Sequence, residues 1–208
     1  MSATDGARGR FLVLDGVDGC GKTTQAGLLV QSLERETGKK PLHLREPGST
    51  VVGERIRGIL LDPELELSAS VETLLFAAAR RQMLAELVTP ALAEGRDVVC
   101  ERFHPATFAY QAVAGGLDEE RVLDLLETWA GDPVPDLVLV LDVDPATASS
   151  RREGSPDRIE RKGLDFQRAV AEGFRRYAAR VPNVRLVDAA GTPEEVAAQV
   201  REEVSRAG

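Results

Sequence analysis

FLVLDGVDGCGKTTQ, residues 11–25, is the stretch that decides how this chain is built. FLVLD (11–15) is a short apolar run, the length of a buried strand. Glycines at 16, 19 and 21 then interrupt it, and helix signals run from Lys22 to about Glu36, stopped near Gly38. The spacing fits G-x-x-x-x-G-K-[ST], and a strand before with a helix after is the context that gives this pattern its meaning. Gly16, Gly19 and Gly21 let backbone N–H groups curl around a phosphate. Lys22 is placed to reach a transferring phosphate and the Thr23 hydroxyl to hold Mg²⁺. Gly16, Val17, Asp18, Gly19, Cys20, Gly21, Lys22, Thr23 and Thr24 are therefore the predicted phosphate-binding loop.

Asp18 is the anomaly. At ~6 Å and an effective dielectric of ~20, one carboxylate–phosphate pair repels by roughly 3 kcal/mol. Asp18 should therefore point away from a triphosphate, either to nearby loop N–H groups or toward a second ligand.

Outward from the loop, apolar runs alternate with helical patterns. PLHLRE (41–46), DVVCE (97–101), DLVLVLDVD (136–144) and NVRLVDA (183–189) read as further strands. Helical patterns cover 51–61, 70–95 with a bend near Pro90, 117–130, 164–181 and 192–204. The alternation predicts an α/β fold of the P-loop NTPase type: a five-stranded parallel sheet flanked by helices. Residues 1–208 are read as one domain, with a short Arg-rich lid at about 150–163. Ligands of such sheets sit beyond the carboxyl ends of the strands. Asp15–Thr24, Arg45–Thr50, Glu101–Gln111 and Asp142–Asp144 gather there.

Composition narrows the class. A net charge of −8 lacks the basic footprint of a nucleic-acid binder, so none is expected as a partner. MSATDGARGR at the start has no apolar core for a signal peptide, and no run approaches the ~18 apolar residues of a membrane span. Cys20 and Cys100 lack metal-ligand spacing, so a reduced cytoplasmic protein with no membrane partner is expected. Buried or incidental thiols are the plain reading, although Cys20 at a helix N-terminus could carry thiolate character. Trp129 is read as core.

A magnesium site needs a carboxylate near Thr23. Two predicted strands end in one, Glu101 and Asp142, and Glu101 is preferred because Arg102 follows it. Phe76 and Arg80 lie i, i+4 on one helix face, so a ring could stack on a base while a guanidinium donates to its edge. A core phenylalanine beside a solvated arginine is the alternative. Arg45 and Arg102 both follow strands, and two forked cations there suit a phosphate dianion.

In order and spacing, several pieces together resemble the thymidylate kinase family: the loop 11–25, LREPGST (44–50), LLFAAARRQ (74–82), ERFHPATFAYQ (101–111) and DRIE (157–160). The resemblance implies ATP-dependent phosphorylation of dTMP to dTDP with Mg²⁺, in a typically homodimeric enzyme. It implies that Asp18 accepts from the dTMP 3′-OH and that Arg45 and Arg102 hold its phosphate. Phe76 and Arg80 would then bind thymine, with Tyr110 against the sugar and Gln111 at the base edge. Glycine at 19, where some members carry a catalytic arginine, marks the type whose lid arginines do that work. Arg151 and Arg158, with Arg152 as a further candidate, then join Lys22 and Arg102 as the predicted catalytic set, and Thr23 and Glu101 are the predicted metal side. On composition alone the lid is equally a solvated basic loop.

Departures from the pattern are specific. Ser49 replaces a glycine, so its turn should avoid φ > 0. Glu101 replaces aspartate, Ala106 replaces serine, and Glu153 stands where related lids carry a basic residue. His104 is read as a surface imidazole. A deoxynucleoside kinase, which also follows a strand with Glu-Arg, is the near rival. A non-catalytic P-loop protein is the rival of a different class.

Overall fold

The computed structural model describes residues 8–151, 158–159 and 162–207. Five strands form one all-parallel sheet in the order β2-β3-β1-β4-β5: β1 Phe11–Gly16, β2 Leu42–Arg45, β3 Val98–Glu101, β4 Leu137–Asp142 and β5 Val184–Asp188. β1 is buried along its whole length because it has strand neighbours on both edges and helices on both faces. β1 is the central strand; the chain runs from it to the β2 edge and then returns through β3 and across β1 to β4 and β5, so connections diverge beside β1, where the phosphate loop leaves.

The helices are α1 Lys22–Thr37, α2 Val51–Leu61, α3 Ala69–Met83, α4 Thr89–Ala93, α5 His104–Thr107, α6 Glu119–Ala130, α7 Pro145–Ser150, α8 Leu164–Arg180 and α9 Pro193–Ala207. Side-chain caps begin several of them: Thr50 accepts from Gly53 N at 2.9 Å, Asp118 from Arg121 N at 3.0 Å and Asp144 from Ala146 N at 3.0 Å. α1 begins on Gly21 with no side-chain cap, which leaves its first N–H groups for a ligand.

The expected helix 70–95 is three segments. A π turn, Leu84–Val88, separates α3 from α4 just before Pro90. Proline has no N–H and its ring crowds the carbonyl four residues back, and the wider turn absorbs both. A second π turn, Phe108–Val113, continues α5 through a stretch whose helical character the sequence did not reveal. α8 packs against it closely, and a Cβ at Gly173 would lie 2.7 Å from Ala109 Cα.

Three single-residue expectations are corrected. Trp129 is 69 % exposed: at i+7 from Val122 and i+3 from Leu126 it lies at the margin of the face that α6 buries, in the helix's last turn. His104 is buried: its ring stacks on Phe103 at 4.2 Å, and Nε2 donates to Ala130 O at 2.8 Å. Ser49 adopts φ +67°, the left-handed region that its turn was expected to avoid. Its hydroxyl accepts from Arg45 N at 3.0 Å and donates to Arg45 O at 3.1 Å, offsetting the strain.

Candidate active site

Gly16, Gly19 and Gly21 all have positive φ, and a Cβ at Gly16 would lie 2.6 Å from Leu141 O, so the loop closes tightly on β4. Lys22 Nζ donates to Gly16 O at 3.0 Å and Val17 O at 2.8 Å. Around this loop lies a cavity of about 490 Å³ lined by Asp18–Gln25, Arg151, Ala189, Gly191, Pro193 and Val196. Arg151 closes one side, donating to Ala189 O at 2.8 Å and Ala190 O at 2.9 Å. Cys20 is buried and burial pushes its thiol pKa up, so the thiolate character entertained from its position is absent.

A second cavity, about 330 Å³, opens on the other side of the loop. Asp18, Arg45, Phe76, Arg80, Arg102, Tyr110 and Gln111, each predicted on the acceptor side, all line it. Asp18, Lys22 and Thr23 line both cavities, so the two meet at the loop. Asp18 does turn toward the second one: Oδ2 accepts from Tyr110 OH at 2.9 Å and Oδ1 pairs with Arg102 Nη2. Arg102 has φ +70° and its guanidinium sits 5.5 Å over the Tyr110 ring. Burial disfavours its charge, but Asp18 and Tyr110 outweigh burial and raise its pKa.

Arg80 is anchored more firmly than a solvent-facing residue of α3 would be. It is 1 % exposed; Nε donates to both Glu46 oxygens at 3.0 and 2.8 Å, and Nη2 to Phe103 O at 3.0 Å and Thr107 Oγ1 at 3.2 Å. Its Nη1 is buried without a hydrogen-bond partner. Burial raises the Glu46 pKa to about 7, against the pull of Arg80.

Glu101 and Asp142 are separated by their partners. Thr23 Oγ1 donates to Glu101 Oε2 at 2.6 Å, and Glu101 Oε1 lies 2.9 Å from His43 Nε2. Burial works against the Glu101 charge, yet these two hydrogen bonds prevail and lower its pKa. Asp142 is instead held bidentately by Arg175, at 3.0 Å from both Nε and Nη2. A hydroxyl beside a carboxylate is a hard-oxygen pair suited to Mg²⁺. Among the described residues no group of three His, Cys, Asp or Glu could cage a metal, so an ion held by this pair would take its remaining ligands from phosphate and water.

Arg158, the other predicted catalytic arginine of the 150–163 segment, is held by α2 and α3 in this structure. It lines neither cavity; Nη1 donates to Glu72 Oε1 at 2.7 Å, and Nε and Nη2 to Leu60 O at 3.0 and 2.9 Å. Its fork fits a carboxylate and a carbonyl already in place. Arg152 and Glu153 lie outside the described residues. Sequence reasoning missed Glu46, Glu72 and His43 as members of the site. For Glu72 a signal existed: it stands four and eight residues before Phe76 and Arg80, on the same helix face.

Two cavities meeting at a glycine loop, with a lysine between them, define a P-loop phosphotransferase with a small acceptor. The thymidylate kinase family model matches residues 14–200. Thymidylate kinase of Pelotomaculum thermopropionicum is 48% identical over 187 residues, covering 88% of this chain and 86% of that one. The Deinococcus radiodurans enzyme is 38% identical over 205 residues, covering 97% and 99%. The crystal structure of thymidylate kinase from Ehrlichia chaffeensis superposes with a TM-score of 0.80 at 27% identity, covering 95% of this chain and 99% of that chain. The chain belongs to the thymidylate kinase family.

Proposed function

We propose that the chain transfers the γ-phosphoryl group of ATP to dTMP across its glycine loop, giving dTDP and ADP. The observation that carries this reading is the shared wall: Asp18, Lys22 and Thr23 line both cavities, so donor and acceptor phosphates would meet at Lys22. ATP occupies the cavity walled by Arg151 and the turn after β5, its phosphates on the loop N–H groups. Thr23 and Glu101 would hold Mg²⁺, which supplies charge neutralisation on the phosphates. Arg45 and Arg102 take the dTMP phosphate, Asp18 and Tyr110 the sugar, and Phe76, Arg80 and Gln111 the base. Transition-state charge falls to Lys22, Arg102 and Arg151. Arg158 serves as an anchor on α3, and the single-domain reading of 1–208 is retained.

The exposed apolar side chains of α2 and α3, Val51 at 72 % and Leu74 at 57 %, support a homodimer through that face. The free thiols Cys20 and Cys100 fit a reducing cytoplasm. No helix among the described residues is long and apolar enough to cross a membrane.

ADP release with ATP-Mg²⁺ across a panel of nucleoside monophosphates tests the reading. dTMP should be turned over best and thymidine hardly at all. Preference for thymidine would favour a nucleoside kinase. ATP binding without transfer to any pyrimidine nucleotide would reduce the site to a binding module.

A further inference from the structure

Glu72 is a carboxylate on α3, 1 % exposed, with both oxygens engaged. Oε2 accepts from Gln111 Nε2 at 2.9 Å. Oε1 accepts from Arg158 Nη1 at 2.7 Å and lies 3.7 Å from Lys162 Nζ. Arg158 is itself fixed to Leu60 O, so the carboxylate cannot turn without breaking an ion pair. None of this belongs to the phosphate machinery.

The consequence lies in Gln111. An amide can present either its NH₂ or its oxygen, and in a pocket that choice decides what the residue reads. A carboxylate only accepts, so the nitrogen of Gln111 must face Glu72. The amide oxygen is then left for the acceptor cavity, which Gln111 lines. Nearby, Arg80 Nη1 is a buried donor without a partner. The cavity thus offers an acceptor from Gln111 and a donor from Arg80. A 4-keto pyrimidine presents the complement, an N3–H donor beside an O4 acceptor. Cytosine presents the reverse at both positions, and a site that leaves buried polar groups unpaired rejects such a ligand strongly.

We propose that Glu72 is a specificity-determining positioning residue: by holding the Gln111 nitrogen it fixes the amide oxygen toward the base and selects keto pyrimidines over cytosine. The inference rests on the dTMP-kinase reading and deepens it. Glu72 touches no substrate and acts through Gln111, while Arg158 and Lys162 supply the positive charge that allows a carboxylate to be buried there.

The test is the ratio of kcat/KM for dTMP to that for dCMP, with N3-methyl-dTMP as a second probe. Glu72→Gln can donate as well as accept, which frees Gln111 to flip. Glu72→Asp keeps the charge that Arg158 and Lys162 neutralise but withdraws the oxygen by one methylene. Both variants should lower the dTMP/dCMP ratio, Glu72→Gln by about tenfold or more, and both should narrow the penalty on N3-methyl-dTMP. The change should lie mainly in KM. In a Gln111→Ala background, Glu72→Gln should shift the ratio no further, because the relay is already cut. A structural role alone would lower turnover of both nucleotides in proportion. Proportional loss, or a shift that persists without Gln111, overturns the inference. Wild-type protein that phosphorylates no dTMP overturns the kinase reading itself, a separate outcome.

Discussion

Around the first cavity Lys22 and Arg151 are held by backbone carbonyls, whereas around the second the charged and amide groups are also paired with other side chains. Lys22 and Arg151 donate to the carbonyls of Gly16, Val17, Ala189 and Ala190. On the acceptor side Arg80 is matched to Glu46, Arg102 to Asp18, and Gln111 to Glu72. A phosphate is the same in every nucleotide, and main-chain N–H groups with one lysine suffice to hold it. A particular base and sugar require directional groups, and buried directional groups need partners that keep them oriented and solvated. The groups of the second cavity therefore depend on partners brought from elsewhere in the chain, whereas the glycine loop depends on its own conformation.

That contrast can be broken most directly at Lys22. Lys22→Ala should lower kcat by roughly a thousandfold while leaving dTMP affinity nearly unchanged, as read by single-turnover kinetics beside dTMP titration. An equal loss of dTMP affinity would mean that the two cavities are not separable. Asp18→Asn is the next largest effect. It should lower kcat/KM for dTMP by roughly a hundredfold with ATP affinity little altered, and the 3′-deoxy analogue should already be poor with the wild type. A matched fall in ATP affinity would return Asp18 to the donor side.

A third prediction concerns stability behind the acceptor wall. Burial, with Arg80 nearby, lowers the His104 pKa from its ordinary 6.5 to about 3. Between those values the unfolded chain binds a proton that the folded chain refuses, so His104 costs stability as pH falls from 6.5. By about pH 5 the loss should reach about 2 kcal/mol. Denaturant melts should show His104→Phe losing less stability than the wild type over that interval; parallel curves would refute the assignment. Ser49→Gly should have the smallest effect. It relieves φ +67° but removes two hydrogen bonds to Arg45, so the net change should stay within about 1 kcal/mol. A larger destabilisation would show that the serine hydroxyl holds the Arg45 turn by itself.

The same contrast explains what could be read from the sequence. The donor loop is contiguous, and its strand and helix lie next to it, so fold and phosphate site were legible together. α2 was read at the residues it occupies, Val51–Leu61, because its cap and periodicity are local. The residues expected to bind the acceptor do line one cavity, but the bonds that hold them were not legible. Nothing in DRIE tells Arg158 that Glu72, far away in the chain, will hold it. Nothing near His104 announces the Ala130 carbonyl. Trp129 was misplaced because it lies at the margin of the buried face of α6, where spacing does not separate core from surface. Side chains defined by distant partners are invisible to spacing, and the acceptor cavity is built from them.

The parallel ladder has one more implication. Leu14 of β1 stands opposite Glu101 of β3, and Arg102 N donates to Leu14 O at 2.9 Å. The glycine loop and Arg102 are thus extensions of two adjacent, fully hydrogen-bonded strands. In the proposed reaction, the span between phosphate donor and phosphate acceptor would be a ruler set by the sheet. The surfaces proposed to read the base belong to α3 and the π turn after α5, outside that ruler. Substitution at Glu72 or Gln111 can retune which nucleotide enters while the distance the phosphoryl group must cross stays the same.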